Sequence, residues 1–123
     1  MIGDLANAVG GYLHDVFVVR LDWWVLLGFA AQAFSSAEAF LASEALGETR
    51  CLILDIAMPG MSGPELQQEL IRRRHQIPIV FITAHGDESV RPELLARGAA
   101  ECLFKPFSET ALMDALSTAL RMR

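Results

Sequence analysis

Cysteine is scarce in this sequence, with two residues among 123, and they do not form a CxxC pair. Cys51 and Cys102 both lie inside apolar runs, without a histidine cluster nearby in the sequence. A disulfide framework or a zinc site would need more sulfur, or histidine at metal-binding spacing. The positions of the two cysteines therefore favour buried free thiols.

Positively charged residues are also few. The sequence has 10 lysines and arginines and 15 aspartates and glutamates, which give a net charge of −5. This negative net charge argues against a domain that binds nucleic acid directly through a basic surface. Long uncharged runs are absent as well, because Arg20 and Asp22 interrupt the apolar stretch 16–34. A spanning helix needs about 20 mostly uncharged residues. We therefore expect a cytoplasmic domain that neither crosses a membrane nor contacts nucleic acid.

What the sequence has in quantity is hydrophobic residues, 53% of the total against 20% charged. This composition is typical of a compact globular protein, and 123 residues is close to the common size of one domain. No linker, internal repeat or low-complexity tract divides the chain. We predict a single domain over residues 1–123.

From residue 29 onward, short apolar runs alternate regularly with helix signals. Such alternation predicts a parallel sheet with helices on both of its faces. The predicted strands are 29–34, 51–55, 78–83 and 101–104, and the predicted helices are 35–46, 64–74, 88–97 and one that begins after Ser108.

Local residues mark the predicted helix boundaries. The stretch 35–38 resembles a capping box, and Gly47 is expected to end the helix that this box begins. Pro64 suits the first turn of the next helix. Pro92, which lies inside the third predicted helix, indicates a late start or a kink.

Three polar residues follow directly on predicted strands: Asp55, Thr83 and Lys105. In open parallel sheets, ligands bind beyond the carboxyl ends of the strands, so these side chains are expected to share one crevice. A carboxylate can act as a nucleophile toward phosphorus, and a lysine can pair with phosphoryl oxygens. A hydroxyl can donate a hydrogen bond to a further phosphoryl oxygen. The combination predicts a phosphoryl site.

The motifs around these residues resemble one known family. Residues 52–63, then 81–86, then 105–107 look like the receiver domain of bacterial two-component response regulators, and they are most similar to the subgroup of nitrogen-fixation regulators. The resemblance covers residues 29–120 and leaves 1–28 atypical. It implies a CheY-like, flavodoxin-like doubly wound α/β fold with five parallel strands.

The resemblance also assigns roles to individual residues. Asp55 would be the phosphoacceptor, Thr83 the hydroxyl that turns toward the phosphate, and Lys105 the cation that pairs with it. The bond between Lys105 and Pro106 would be a cis peptide. The metal ion of the family is Mg²⁺, and its ligands here would include Asp55 and the backbone carbonyl of Ala57.

Two features of the family pattern are missing from this sequence. Receivers usually carry an aromatic switch residue three positions before the lysine, and this chain has Cys102 there. The first strand of the family ends in an acidic pair that holds Mg²⁺, but spacing places Gly11 and Tyr12 at that pair. Alignment by content instead makes 16–19 the strand and replaces the acids with Arg20 and Leu21.

The nearest carboxylates, Asp15 and Asp22, do not fall on a clean match in either alignment. Under the alignment by content, the Arg20 cation is expected to occupy the place of the metal ion. The apolar stretch 16–27 additionally favours a homodimer.

The sequence is compatible with two functions. In the first, a sensor histidine kinase phosphorylates Asp55, and the added charge changes the face that binds an output domain or partner protein. In the second, the chain is a pseudo-receiver, a protein-interaction module that works without phosphate. An enzyme is not expected: an aspartyl phosphatase would carry an acid two residues after Asp55, where Ala57 stands, and a flavodoxin-like carrier would need a phosphate loop after the first strand.

Overall fold

The structure, a computed structural model, describes residues 16–22, 28–56, 60–83 and 89–121, with side chains from residue 34 onward. These residues form strands and helices in alternation, as the sequence predicts from residue 29 onward. The strands are β1 (Val16–Asp22), β2 (Gly28–Phe34), β3 (Cys51–Asp55), β4 (Ile79–Thr83) and β5 (Glu101–Phe104). The helices are α1 (Ala37–Leu41), a 3₁₀ helix (Glu44–Glu48), α2 (Gly63–Arg72), α3 (Val90–Ala96) and α4 (Glu109–Arg121).

Helix α1 is shorter than the predicted 35–46 and begins two residues later, at Ala37. Its N-cap is Ser36, whose hydroxyl accepts a hydrogen bond from the backbone N–H of Ala39 at 3.0 Å. The predicted capping box over 35–38 is therefore wrong, because Glu38 is not at position N3 of this helix. The helix ends at Leu41, and a separate 3₁₀ helix over Glu44–Glu48 continues past Gly47, which was expected to end the predicted helix.

Helix α2 begins with a complete capping box. The Ser62 hydroxyl accepts from the Glu65 N–H at 3.2 Å, and the Glu65 carboxylate accepts from the Ser62 N–H at 3.0 Å. Pro64 occupies the first turn, as predicted, where a missing backbone N–H costs nothing. These contacts begin α2 just after the loop that follows β3.

The five strands form one sheet in the order β2-β1-β3-β4-β5. Strands β3, β4 and β5 are parallel, which confirms the predicted α/β fold with a parallel sheet. Strand β1 is antiparallel to both of its neighbours, β2 and β3. The expectation of five parallel strands is therefore corrected at β1 alone, since β2 runs in the same direction as β3.

The length of the chain between β1 and β2 explains why β1 is reversed. Only residues 23–27 separate the two strands. A parallel crossover needs a connection of about a dozen residues or more, usually a helix, whereas antiparallel neighbours can be joined by a short turn. The strand over 16–19 that the alignment by content gives is present, and it pairs in antiparallel orientation with β2 because the connection is too short for a crossover.

The core lies on both faces of the sheet, because successive residues of a strand point to opposite faces. Leu52 and Leu54 of β3 pack with Phe40 of α1 and Leu66 of α2 on one face. On the other face, residues of the central strands pack against α4; this second cluster contains Cys51, Ile53, Val80, Ile82, Leu112, Ala115, Leu116 and Ala119. The α4 residues of this cluster recur at helical spacing, so the helix buries one face against the sheet.

Within the described ranges, we find no helix with the length and apolar character that crossing a bilayer requires. Both cysteines are free and buried, which confirms the interpretation made from their apolar surroundings.

Candidate functional site

Asp55 is the last residue of β3 and lies at the carboxyl end of the sheet. The residue is only 6% exposed. Its neighbour across the sheet is Ile82, and the next residue, Ile56, donates its backbone N–H to the Ile82 carbonyl at 3.0 Å. The pairing with β4 therefore fixes the position of the Asp55 backbone, and with it the position of the buried carboxylate.

Lys105 reaches the same point from the end of β5. Its Nζ lies 3.1 Å from Oδ2 of Asp55, a charge-assisted hydrogen bond between two side chains that are 18% and 9% exposed, respectively. The Lys105–Pro106 peptide is cis, as the family resemblance implies. The acid and the cation that the sequence places 50 residues apart are thus in direct contact.

Thr83 is the last residue of β4, the strand between the other two. It pairs with Phe104 in the register of the sheet, and its carbonyl accepts the backbone N–H of Lys105 at 2.8 Å. All three predicted residues therefore lie at one edge of the sheet, at the ends of adjacent parallel strands. Ala57, the predicted carbonyl ligand, lies outside the described residues.

Glu38, which sequence reasoning assigned to a helix cap, contacts the loop after β3 instead. Its Oε2 accepts the backbone N–H of Met61 at 3.3 Å, across 23 residues of sequence. The preceding residue, Gly60, has a φ of 74°, in the left-handed region that favours glycine. This contact links α1 to the segment between the Asp55 strand and α2, and no local pattern in the sequence predicts it.

Gly63 is a second residue of the site that sequence reasoning missed. Its backbone N–H donates to the Ile56 carbonyl at 3.1 Å. A Cβ atom at this position would lie 2.6 Å from the backbone oxygen of Asp55 and 3.0 Å from Cε1 of Phe81. The start of α2 therefore approaches β3, the strand that ends on Asp55, so closely that only glycine fits. The sequence feature that could have indicated this close approach is the Gly63-Pro64 dipeptide at the start of a helix.

The reversed strand β1 changes what lies beside Asp55. Val16, the first residue of β1, pairs with Leu54, whereas Val19 pairs with Cys51 at the opposite end of β3. Arg20 follows Val19 and therefore lies at the amino edge of the sheet, away from Asp55. The expectation that the Arg20 cation replaces the metal ion is wrong, because the strand runs in the direction opposite to the one assumed.

Among the candidates for the acidic pair that the structure describes, none places a second carboxylate beside Asp55. Leu21 and Asp22 lie farther along β1, also toward the amino edge, while Gly11, Tyr12 and Asp15 lie outside the described residues. Among the residues that the structure describes, no three histidine, cysteine or acidic side chains are grouped so that they could hold a metal ion. The described part of the site therefore does not fit Mg²⁺, which binds through carboxylate oxygens.

Cys102 occupies the middle of β5, opposite Phe81 of β4, and is 3% exposed. Burial raises the pKa of its thiol to about 11. Its backbone N–H donates to Oε1 of Glu101 at 2.9 Å, and Nη2 of Arg91 in α3 donates to the same oxygen at 2.7 Å. The small buried thiol stands where the sequence resemblance leads us to expect an aromatic switch residue, and beside it an ion pair joins α3 to β5.

We expect both thiols to be unreactive in the folded chain. Burial raises the pKa of Cys51 to about 12 and that of Cys102 to about 11, so the reactive thiolate is scarce at about pH 8. The measurement is labelling with a thiol-reactive disulfide reagent, followed by absorbance, with urea-unfolded chain as the control for full reaction. Rapid labelling of one thiol per folded chain would contradict the burial, and Cys102→Ser would identify which thiol it is.

Comparison with known proteins gives one consistent family. The sequence model of the response regulator receiver domain matches residues 22–117, a span that begins at the last residue of β1. The chain is 42% identical over 96 residues to response regulator protein TmoT of Ectopseudomonas mendocina, covering 78% of this chain and 44% of that protein. It is 39% identical over 92 residues to transcriptional regulatory protein FixJ of Rhizobium meliloti, covering 75% of this chain and 45% of FixJ.

Solved structures agree with the sequence comparison. The crystal structure of FixJ-N superimposes with a TM-score of 0.63 at 38% identity, over 72% of this chain and 70% of that one. The similarity to nitrogen-fixation regulators that the motifs indicate is thereby confirmed. The chain spans less than half the length of these curated relatives.

Proposed function

The chain belongs to the response regulator receiver domain family, and we propose that it accepts a phosphoryl group on Asp55 from a sensor histidine kinase. Such a domain acts in two-component signalling and not as a catalyst of metabolism. Our proposal extends this family membership to a named acceptor residue and to its chemistry.

The observation that carries the proposal is the contact between Lys105 and Asp55 at 3.1 Å. An oxygen of the Asp55 carboxylate would attack the phosphorus of the donor and form a new O–P bond. The bond from phosphorus to the donor atom would break, and its electron pair would stay with the donor. Lys105 would pair with the phosphoryl oxygens, and Thr83 ends β4, the strand between β3 and β5.

The surface that responds to phosphorylation and binds a target would consist of α3, β5 and α4. Lys105 directly follows β5, the middle element of this surface. On phosphorylation, a phosphoryl group with about 1.5 to 2 negative charges would replace the single negative charge of the Asp55 carboxylate, and part of the Lys105 contact would pass to the new group. The displacement would reach β5 directly, because Lys105 follows its last residue. The target would be an output domain, a partner protein or a second copy of the chain.

A second candidate function is favoured by the reversal of β1. The described residues beside Asp55 offer no second carboxylate, and Cys102 replaces the aromatic switch. Both differences suit a pseudo-receiver, in which the same α3–β5–α4 face binds a partner whether or not Asp55 is phosphorylated. The two candidates differ in one measurable property, the uptake of a phosphoryl group.

We expect the wild-type chain to gain the mass of one phosphoryl group after incubation with acetyl phosphate, in buffer containing Mg²⁺. Asp55→Asn should gain none, because an amide nitrogen lacks the nucleophilic character of a carboxylate oxygen. The measurement is intact mass spectrometry. Asp114→Asn, an exposed acid on α4, is the matched control and should gain as much as the wild type. Equal absence of gain in all three proteins would reject the phosphoacceptor and favour the pseudo-receiver.

A further inference from the structure

A groove of about 960 Å³ lies at the amino edge of the sheet, opposite Asp55. It is bounded by the residues that precede β3, by the segment from the end of α2 to the start of β4, and by the turn after α3. Its size falls within the range of small-molecule sites, about 300 to 1,000 Å³. No part of the phosphoryl site contributes to it.

Gln67 of α2 lines this groove and is 4% exposed. Its Nε2 donates to the backbone carbonyl of Arg97 at 3.4 Å. A carbonyl accepts and does not donate, so this contact fixes which end of the amide is the nitrogen. Oε1 is buried and finds no donor among the described residues. A buried acceptor of this kind costs free energy unless a hydrogen-bond donor reaches it.

The charged side chains that line the groove are cationic. They are Arg74 and Arg97, and the described lining contains no aspartate or glutamate. Arg97 pairs with Glu93 at 2.6 Å, but both side chains are largely exposed, so the pair is weak and an anion can compete for it. The groove therefore favours a ligand with negative charge.

Apolar side chains supply the rest of the lining, among them Leu46, Leu70 and Ile77. Ile71 at the same groove is 55% exposed, a large hydrophobic side chain that α2 presents to solvent. Covering such a surface is favourable in proportion to its apolar area. A ligand that suits all three features has an apolar body, an acidic group and an N–H or O–H donor.

We propose that this groove is a second binding site, specific for small amphipathic organic anions that carry a hydrogen-bond donor. The donor bonds to Oε1 of Gln67, the acidic group pairs with Arg74 and Arg97, and the apolar body covers Ile71. The inference does not depend on phosphorylation of Asp55, since the two sites lie at opposite edges of the sheet.

The test uses indole-3-acetate, which combines an acidic group, an N–H donor and an apolar ring. Naphthalene-1-acetate lacks the donor, and indole-3-ethanol lacks the acid. Titration of the ¹⁵N-labelled chain, followed by NMR, should shift the side-chain amide of Gln67 and give indole-3-acetate about fivefold tighter binding than either analogue, the value of one hydrogen bond or one weak ion pair.

Variants separate the contributions of the two groups. Gln67→Leu should bind both acetates equally, because the acceptor is gone, while Gln68→Leu, the exposed neighbour on α2, should keep the fivefold preference. Arg74→Gln, an exposed position, should weaken both acetates and leave indole-3-ethanol unchanged. Equal binding of the three compounds to the wild type, a preference that survives in Gln67→Leu, or no shift at Gln67 would each overturn the proposal.

Discussion

Gly63→Ala is expected to lower the free energy of unfolding by about 2 to 3 kcal/mol, the upper part of the usual range for overpacking. The added Cβ would lie 2.6 Å from the Asp55 backbone oxygen and 3.0 Å from Cε1 of Phe81. Neither atom can retreat easily, because Asp55 is paired with β4 and Phe81 is fully buried. The backbone N–H of Gly63 also donates a hydrogen bond to the Ile56 carbonyl, so a shift of α2 would weaken that hydrogen bond as well. Urea unfolding followed by circular dichroism measures the loss.

Gly47→Ala is the matched control for this prediction. A Cβ at Gly47 would meet nothing within 4 Å. Alanine there reduces the entropy of the unfolded chain, and we expect a gain of about 0.4 to 1 kcal/mol. The two glycine substitutions should therefore move the urea midpoint in opposite directions. Equal midpoints would mean that α2 does not approach β3 as closely as the structure describes.

The local parts of the fold were predictable because their signals lie in adjacent residues. An unbroken apolar run that ends on Asp55 indicates strand β3, and apolar residues at helical spacing indicate helix α4. The same logic locates Thr83 and Lys105 at strand ends. Parallel strands then bring their carboxyl ends to one edge, so the contact of Asp55 with Lys105 follows from the alternation of elements.

The contacts that the sequence did not predict depend on distance through space or on chain direction. Glu38 fits a helix cap by its spacing from Ser35, yet it binds Met61 because α1 packs beside the loop after β3. One of the two alignments made 16–19 a strand, but an apolar run does not indicate whether the strand pairs in parallel or antiparallel orientation. Its direction is set by the five residues 23–27, which are too few for a crossover helix.

This explanation of β1 predicts the outcome of an engineered repair. Arg20→Asp together with Leu21→Asp should leave phosphoryl uptake at the wild-type level, because residues 20 and 21 lie at the amino edge, away from Asp55. Inserting a helix-forming segment of about a dozen residues between Asp22 and Gly28 should allow β1 to pair in parallel with β3. The insertion alone supplies no acid and should also leave uptake unchanged.

Only the combination of the insertion and the two aspartates is expected to raise the rate of phosphoryl uptake. For that protein, we expect the rate in Mg²⁺ to be about tenfold higher than the rate in EDTA. In that protein the new carboxylates would follow a parallel β1 and reach the carboxyl edge, where Asp55 already lies beside Lys105. The measurement is intact mass against time with acetyl phosphate, and Asp55→Asn in the repaired protein should abolish the gain. The same increase from the two aspartates without the insertion would show that β1 is not reversed, since acids at the amino edge cannot act on Asp55.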